Sequence, residues 1–367
     1  MKPRANEQDL GYTNLEIKFS PKHEIKSYSC RSGDLAIKIS PMPSNYPLPS
    51  HPVRIEGHIL KRLQKEPHIV PCIGLWDVPL HCPGMQRFPF HSSKLHKSCS
   101  VLVSHFCDHG DLFHCSLNDV QFKGIIFQVL WSLATWQDKY HFMHNDAHCA
   151  NILIQTDRAQ RAYEWGDQDL GLKALFVLPP LDVKACLWDF EFSTMKNMET
   201  NPYVVGQECI PFQFHEAYDA HMFLNSLLQI DHLPESVSHF IFSVYDHALL
   251  GTDGWIATAS HRRHEYRKSP RPFMSSDSNV ESSQHQSSDS SMTSYSSLGS
   301  FDTMSMDTTD STQVYVAEGR LLEAALTLPL PTARELLFHP FFREYLSVPA
   351  LPGTITSHHW VKRRRFS

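Results

Sequence analysis

Glycine is scarce in this chain. There are 15 in 367 residues, and no three of them fall at the Gly-x-Gly-x-x-Gly spacing that lets backbone amides close on a phosphate. Cys-x-x-Cys pairs are missing too. The nine cysteines stand at 30, 72, 82, 99, 107, 115, 149, 186 and 209, and an odd, unpaired set reads as reduced thiols of an intracellular protein, in cytoplasm or nucleus. Three His-Cys neighbours, His81-Cys82, His114-Cys115 and His148-Cys149, match no zinc-finger spacing and read as surface histidines beside small buried thiols. No apolar run is long enough for a bilayer. The longest, Ile125 to Trp136, is interrupted by Gln128 and Ser132. The first residues, "MKPRANEQDLGYTN", lack the apolar core of a secretory signal. Excess positive charge is absent as well: the formal net charge is -6, so polyanion binding by charge alone is excluded and no direct nucleic-acid contact is expected.

What is present is an ordinary globular composition, 41% hydrophobic and 20% charged, with enough chain for one large domain or two small ones. One segment departs from it. Residues 275–312 hold 20 Ser or Thr in 38, with six acids and no Lys or Arg. Such a stretch buries too little apolar surface to offset its ordering entropy, so it reads as a disordered insertion. A basic stretch with Arg262, Arg263, Arg267, Lys268 and Arg271 precedes it. The pattern of the rest changes near residue 117. Before it lie short β-branched runs at Leu35–Ile39, Ile69–Leu75 and Val101–Phe106, with a helical segment at Val53–Leu63. After it helices dominate. Phe122, Ile125, Ile126, Val129, Leu130, Leu133 and Trp136 recur at helical spacing. Further helices are expected at Glu216–Gln229, Ala317–Leu326 and Thr332–Phe338, the last capped by Thr332 with Glu335.

The long helix leads into "HFMHNDAHCANILIQ", residues 141–155. Here His144-Asn145-Asp146 is followed by Asn151 and then by the apolar run Ile152-Leu153-Ile154. The spacing suits phosphoryl transfer from ATP. One carboxylate orients or deprotonates the attacking hydroxyl. A second carboxylate and an amide oxygen hold Mg2+ on the phosphates. A lysine neutralises phosphate charge, and a glutamate holds that lysine. The strand after Asn151 fixes the amide so that the metal site does not depend on a loose loop.

The remaining parts occur in order. "LAIKIS" supplies Lys38, "RIEGHILKRL" supplies Glu56 on a helix, "VLVSHFCDHGDLF" supplies a strand and hinge, and "ACLWDFEFS" supplies Asp189-Phe190-Glu191. "PTARELLFHPFF" closes the set. From about residue 30 to 345 the chain resembles the protein kinase family. His148, where common kinases carry lysine, is most similar to the haspin-type and large-DNA-virus kinases. The resemblance implies an α+β, bilobal fold with a sheet-rich N-lobe and a helical C-lobe. It implies Asp146, Lys38 and Glu56 as catalytic residues, and Asn151 and Asp189 as Mg2+ ligands. ATP would meet Lys38, gatekeeper Ser104, hinge residues His105, Phe106 and Cys107, and His148. Asp219, in "YDAHMFLNSL", would hold the catalytic-loop backbone. The implied parts are an N-terminal segment 1–29, an N-lobe with hinge 30–107, a C-lobe 108–267, the Ser/Thr-rich insertion 268–313, the end of the C-lobe 314–346 and a basic tail 347–367. The partner would be a protein substrate, with no membrane involved.

Four departures mark this chain. The segment before Lys38 has one glycine, Gly33, placed for the turn after a phosphate loop. Glu191 stands where the family has the glycine of D-F-G. No A-P-E motif lies between Asp189 and Asp219, and Leu330 stands where its arginine partner belongs. Asn145 replaces the arginine that receives activation-loop phosphate, which argues against activation by that route. Asp146 and Asp189 are also 43 positions apart, so residues 156–181 form an insertion expected to pack outside the cleft. Two further readings share these residues: a pseudokinase used as a binding or scaffold module, and a small-molecule phosphotransferase with the same H-x-D-x-x-x-x-N loop. The flexible Ser/Thr segment is an expected site of self-phosphorylation, which mass spectrometry of active protein would reveal.

Overall fold

The computed structural model describes residues 28–43, 52–79, 96–167, 172–199, 201, 204, 214–245, 250, 330–346 and 355–361. It is a mixed α/β structure of three sheets and several helices. The segment before Tyr28, the basic stretch and Ser/Thr-rich insertion, the helix expected at Ala317–Leu326 and the residues after Val361 lie outside the described residues.

Four antiparallel strands form the first sheet: β1 (Tyr28–Ser32), β2 (Leu35–Pro43), β3 (Cys72–Pro79) and β4 (His96–His105), in the order β1-β2-β4-β3. Period-two alternation sorts β2 into two faces. Ile37 and Ile39 pack with Cys99 on one side, and Lys38 stands on the other. The turn between β1 and β2 uses Gly33 at φ 58°, a left-handed conformation that glycine adopts without Cβ strain. Helix α1 (Pro52–Leu63) buries Val53, Ile55, Ile59, Leu60 and Leu63 and carries Glu56 inward with them. β3 starts at Cys72 rather than at Ile69. Pro71 has no amide to donate, and Ile69 makes only an isolated bridge to Leu187.

Helix α2 (Asp119–Tyr140) is buried on nearly every side from Phe122 to Gln137. Asn118 and Gln121 close a capping box at its start, an arrangement the apolar periodicity alone does not reveal. Gln128, the break in the apolar run, accepts the Ala185 amide at 2.8 Å. Gly124 lets Leu181 come so close that a Cβ would stand 2.3 Å from its methyl. The second sheet is the hairpin-like pair β5 (Ile152–Thr156) and β8 (Val183–Leu187). Helix α3 (Tyr218–Leu227) is shorter at both ends than expected, α4 (Glu235–Val244) follows, and α5 (Ala333–Leu337) has the Thr332–Glu335 capping box.

The insertion at 156–181 is not irregular. It forms β6 (Arg161–Asp167) and β7 (Leu172–Val177), and β6 also pairs in parallel with β9 (Ile355–Val361). Part of the stretch read as a basic tail is therefore a strand. Aromatic packing explains the placement: Tyr163, Trp165 and Phe176 meet Phe127 and Trp131 of α2 at centroid distances of 5.1–5.5 Å. His68 ties this sheet to the segment after α1. Its Nδ1–H donates to Ala185 O at 3.0 Å and its Nε2 accepts from Tyr163 Oη at 2.8 Å. Burial, then the Arg161 charge, lowers its pKa to about 3 and keeps the ring neutral. Among the described residues no helix is long and apolar enough to cross a membrane.

Candidate active site

Lys38 on β2 points toward α1 and meets Glu56, with Nζ 2.9 Å from Oε2 and 3.2 Å from Oε1. The same ammonium donates to Asp189 Oδ1 at 3.0 Å, across 151 positions of sequence. The two carboxylates differ in setting: the Glu56 side chain is fully buried, whereas that of Asp189 is 24% exposed. Desolvation alone would lower the lysine's pKa. Asp189, then Glu56 and Glu191, outweigh it and hold the ammonium charged, well above its ordinary range. Burial pushes the Glu56 carboxyl upward against the pull of Lys38, and the Phe190 amide also donates to it.

Asp189 has left-handed backbone, φ 63°, at the entry to the one-turn helix Phe190–Phe192. Phe190 is fully buried and stacks near His144, 5.0 Å between centroids, so the aspartate sits on an anchored turn. Glu191 follows it, and desolvation pushes its carboxyl up to about 7 even though Lys38 pulls it down. This acid adds to the negative charge beside Lys38 where glycine would add none.

The loop Phe142–Asn151 is held from below. Asp219, on α3, accepts the His144 amide at 2.7 Å and the Asn145 amide at 2.9 Å. Burial pushes Asp219 up to about 7, and the two amide bonds act in the opposite direction. His144 is buried, which lowers its pKa, and Nε2–H donates to Trp188 O at 3.0 Å. Asn145 is more than a missing arginine. At φ 61° it adopts a conformation that asparagine tolerates, and its amide donates to Phe192 O at 3.0 Å and Thr194 Oγ1 at 3.3 Å. It thereby ties the loop to the segment that follows Asp189. Asn201, not singled out by the sequence, extends the tie by donating to Glu191 O and Ser193 O at 2.8 and 3.1 Å. Its signal would have been one polar residue inside a segment without motif.

Asp146 is almost wholly buried. Asn151 donates through Nδ2 to Asp146 O at 2.9 Å and to Oδ2 at 3.0 Å. The amide oxygen of Asn151 is its hard donor atom. His148 Nδ1 accepts from the Ala150 amide at 3.2 Å, and Nε2 stands 3.5 Å from Asp146 Oδ1. His148 thus braces the loop and the edge of Asp146.

Along the end of β4, Ser104 is buried with no hydrogen-bond partner for its hydroxyl among the described residues. The His105 amide goes to Pro71 O at 3.1 Å and the Phe106 amide to Asp34 O at 2.8 Å. Of His105, Phe106 and Cys107, only Cys107 has an amide with no partner among the described residues. The structure therefore brings Lys38, Glu56 and Asp189 into one cluster and Asp146, His148 and Asn151 into another. Ser104, His105, Phe106 and Cys107 form a separate run at the end of β4. Among the described residues no group of three or more His, Cys, Asp or Glu stands close enough to hold a metal. Asn and Asp side-chain oxygens, such as those of Asn151 and Asp189, are of the hard type that Mg2+ prefers.

No family model matches the chain. It is similar to a protein of Acanthamoeba polyphaga mimivirus named "putative serine/threonine-protein kinase", with 29% identity over 159 residues. The match covers 40% of this chain and 34% of the relative, so the chain spans about a third of that protein's length. The similarity is distant and joins part of this chain to part of a protein named as a kinase.

Proposed function

We propose that this chain is an ATP- and Mg2+-dependent protein serine/threonine kinase of an atypical, bilobal kind. Residues 30–107 form its smaller lobe and hinge, and residues 108–267 with 314–346 its larger lobe. The observation that carries the reading is the Lys38 ammonium shared between Glu56 and Asp189, beside a loop whose amides are seated on Asp219. Lys38 keeps Glu56 and turns its remaining donor toward ATP phosphate. Asp189 and the Asn151 amide oxygen would hold Mg2+, which would supply charge neutralisation along the phosphates. Asp146 orients the substrate hydroxyl and accepts its proton as the oxygen attacks the γ-phosphorus and the bond to ADP breaks. Positioning and charge stabilisation supply most of the rate. The Cys107 amide is the hinge donor for adenine, and Ser104 lines the pocket behind it.

The name of the viral relative supports the same class. The test is transfer of labelled γ-phosphate from Mg·ATP to the chain itself and to mixed basic proteins, beside Asp146→Asn, with phosphoamino-acid analysis. Label on serine or threonine that vanishes in the mutant is the expected result. One observation favours a second reading, a pseudokinase used as a binding or scaffold module: Glu191 adds a third acid to the lysine cluster, which disfavours triphosphate. Absence of label from folded wild-type protein would select it.

A further inference from the structure

A cavity of about 390 Å³ lies where four segments remote in sequence meet, and none of the residues assigned to the active site lines it. One wall is a face of α2. Trp131, Thr135 and Lys139 recur at four-residue spacing and so stand one above another. The turn after α1 supplies a second wall, with Lys65 and Glu66. Strand register brings in the rest. Arg161 of β6 pairs with Ile355, so Thr356 and Ser357 of β9 fall beside it.

Three cations thus converge on this space against one lining acid. Glu66 is already spent: Oε2 accepts from Lys139 Nζ at 2.8 Å and Oε1 from Tyr140 Oη at 2.6 Å. Arg161 is fixed by Asp157, through Nε at 2.6 Å and Nη2 at 2.5 Å. Both cations keep further N–H groups to give. Lys65 has no ion pair among the described residues, and the Thr356 and Ser357 hydroxyls have no hydrogen bond there. With Asp157 counted, three cations face two acids, on a chain whose formal net charge is -6.

The ordinary reading is a solvated junction in which basic side chains answer the negative ends of α1 and α2. It covers Lys139, in the last turn of α2. It does not explain why a strand arginine, only 14% exposed, lines the same space with donors left over.

We propose that this cavity binds a phosphomonoester dianion, at a site distinct from the candidate active site. A phosphate ester brings a charge of about -1.5 to -2 at pH 7 and three strong acceptor oxygens, which suits donors arriving from several segments. Arg161, Lys139 and Lys65 supply the charged hydrogen bonds, and Thr356 and Ser357 supply neutral ones. The volume falls in the range of about 300–1,000 Å³ typical of small-ligand sites, so the carbon atoms of the ester fit as well. Two sources share this chemistry. One is a free phosphorylated small molecule. The other is a phosphorylated serine or threonine, residue types that fill 20 of the 38 positions from 275 to 312. The site stands whether or not the chain itself transfers phosphate.

The experiment titrates the full chain by calorimetry with three probes: O-phosphoserine, a peptide of residues 291–303 phosphorylated on Ser297, and the same peptide without phosphate. Amide hydrogen exchange is followed at saturation. The expected result is saturable binding of a phosphorylated probe, with exchange slowed at Lys65, Glu66, Thr356 and Ser357. Lys65→Gln, at an exposed position, should weaken binding about tenfold, the loss of one charged hydrogen bond. Arg161→Gln should weaken it further; should that variant not fold, Lys65→Gln decides alone. Tighter binding of the phosphopeptide than of O-phosphoserine would uphold the site and assign it to a phosphorylated segment. Equal affinity would uphold it and assign it to a free ester. Absence of saturable binding would overturn the proposal. So would equal affinity for the peptide without phosphate, or binding that Lys65→Gln leaves unchanged and that slows exchange elsewhere.

Discussion

The two halves of the candidate site are held by opposite means. At one end, charged side chains bind one another: Lys38 sits between the buried Glu56 and the part-exposed Asp189. At the other, a buried carboxylate binds backbone: Asp219 holds two amides of the loop that presents Asp146. The first arrangement permits exchange, because a part-exposed carboxylate can yield its share of the lysine to another anion. The second fixes geometry before any ligand arrives, which is what preorganised catalysis requires. The lysine end is built to change partners and the loop end to keep them.

Removing the lysine should have the largest effect. Lys38→Met leaves Glu56 buried without its cation, and breaking a buried pair costs about 3–5 kcal/mol. Urea denaturation should show that loss, and phosphate transfer should fall below detection. Asp219→Ala should come next. Two amides lose their acceptor at about 1–3 kcal/mol each, and the loop should loosen while the Lys38 cluster stays intact. Amide hydrogen exchange at His144 and Asn145 should then accelerate, with exchange around Glu56 unchanged. Equal acceleration at both places would break the contrast between the two ends.

Asn145→Ala is the milder test of the loop end. It removes bonds to Phe192 and Thr194 and puts alanine in left-handed backbone, for a loss of about 1–2 kcal/mol by denaturant midpoint. Glu191→Gln sharpens the lysine end. The Glu191 carboxyl is raised from 4.5 to about 7, so the folded chain holds a proton that the unfolded chain releases. That contribution to stability is complete below about 4.5 and is lost as pH rises through about 7. Between pH 5.5 and 8.5 the melting temperature of the wild type should therefore fall about 2–4 °C further than that of Glu191→Gln. Asp219, raised in the same direction, is present in both proteins and cancels from the comparison.

Most of the candidate site was legible because its parts are local. His144, Asp146 and Asn151 lie in one short loop and the 3-10 turn that precedes β5. Lys38 and Glu56 were legible only through the resemblance and the order of its motifs, since each alone reads as an exposed charge on a strand or a helix. What escaped the sequence depends on distant partners. β9 pairs with β6 across most of the C-terminal half of the chain, and no local pattern announces a parallel pairing of that span. Asn145 showed only as a missing arginine, because its bonds run to residues beyond Asp189. Pro71 moved the start of β3 by removing a donor that hydrophobicity does not register.

The most direct test of the account measures Mg·ATP affinity by calorimetry and phosphate transfer by label on the same preparations of wild type and Asp146→Asn. The account assigns Asp146 to the attacking hydroxyl, and the lysine end with the metal ligands to the nucleotide. It predicts that the variant binds Mg·ATP with an affinity close to that of the wild type and transfers no phosphate. Transfer that persists in the variant, or a wild type that binds no Mg·ATP, would contradict it.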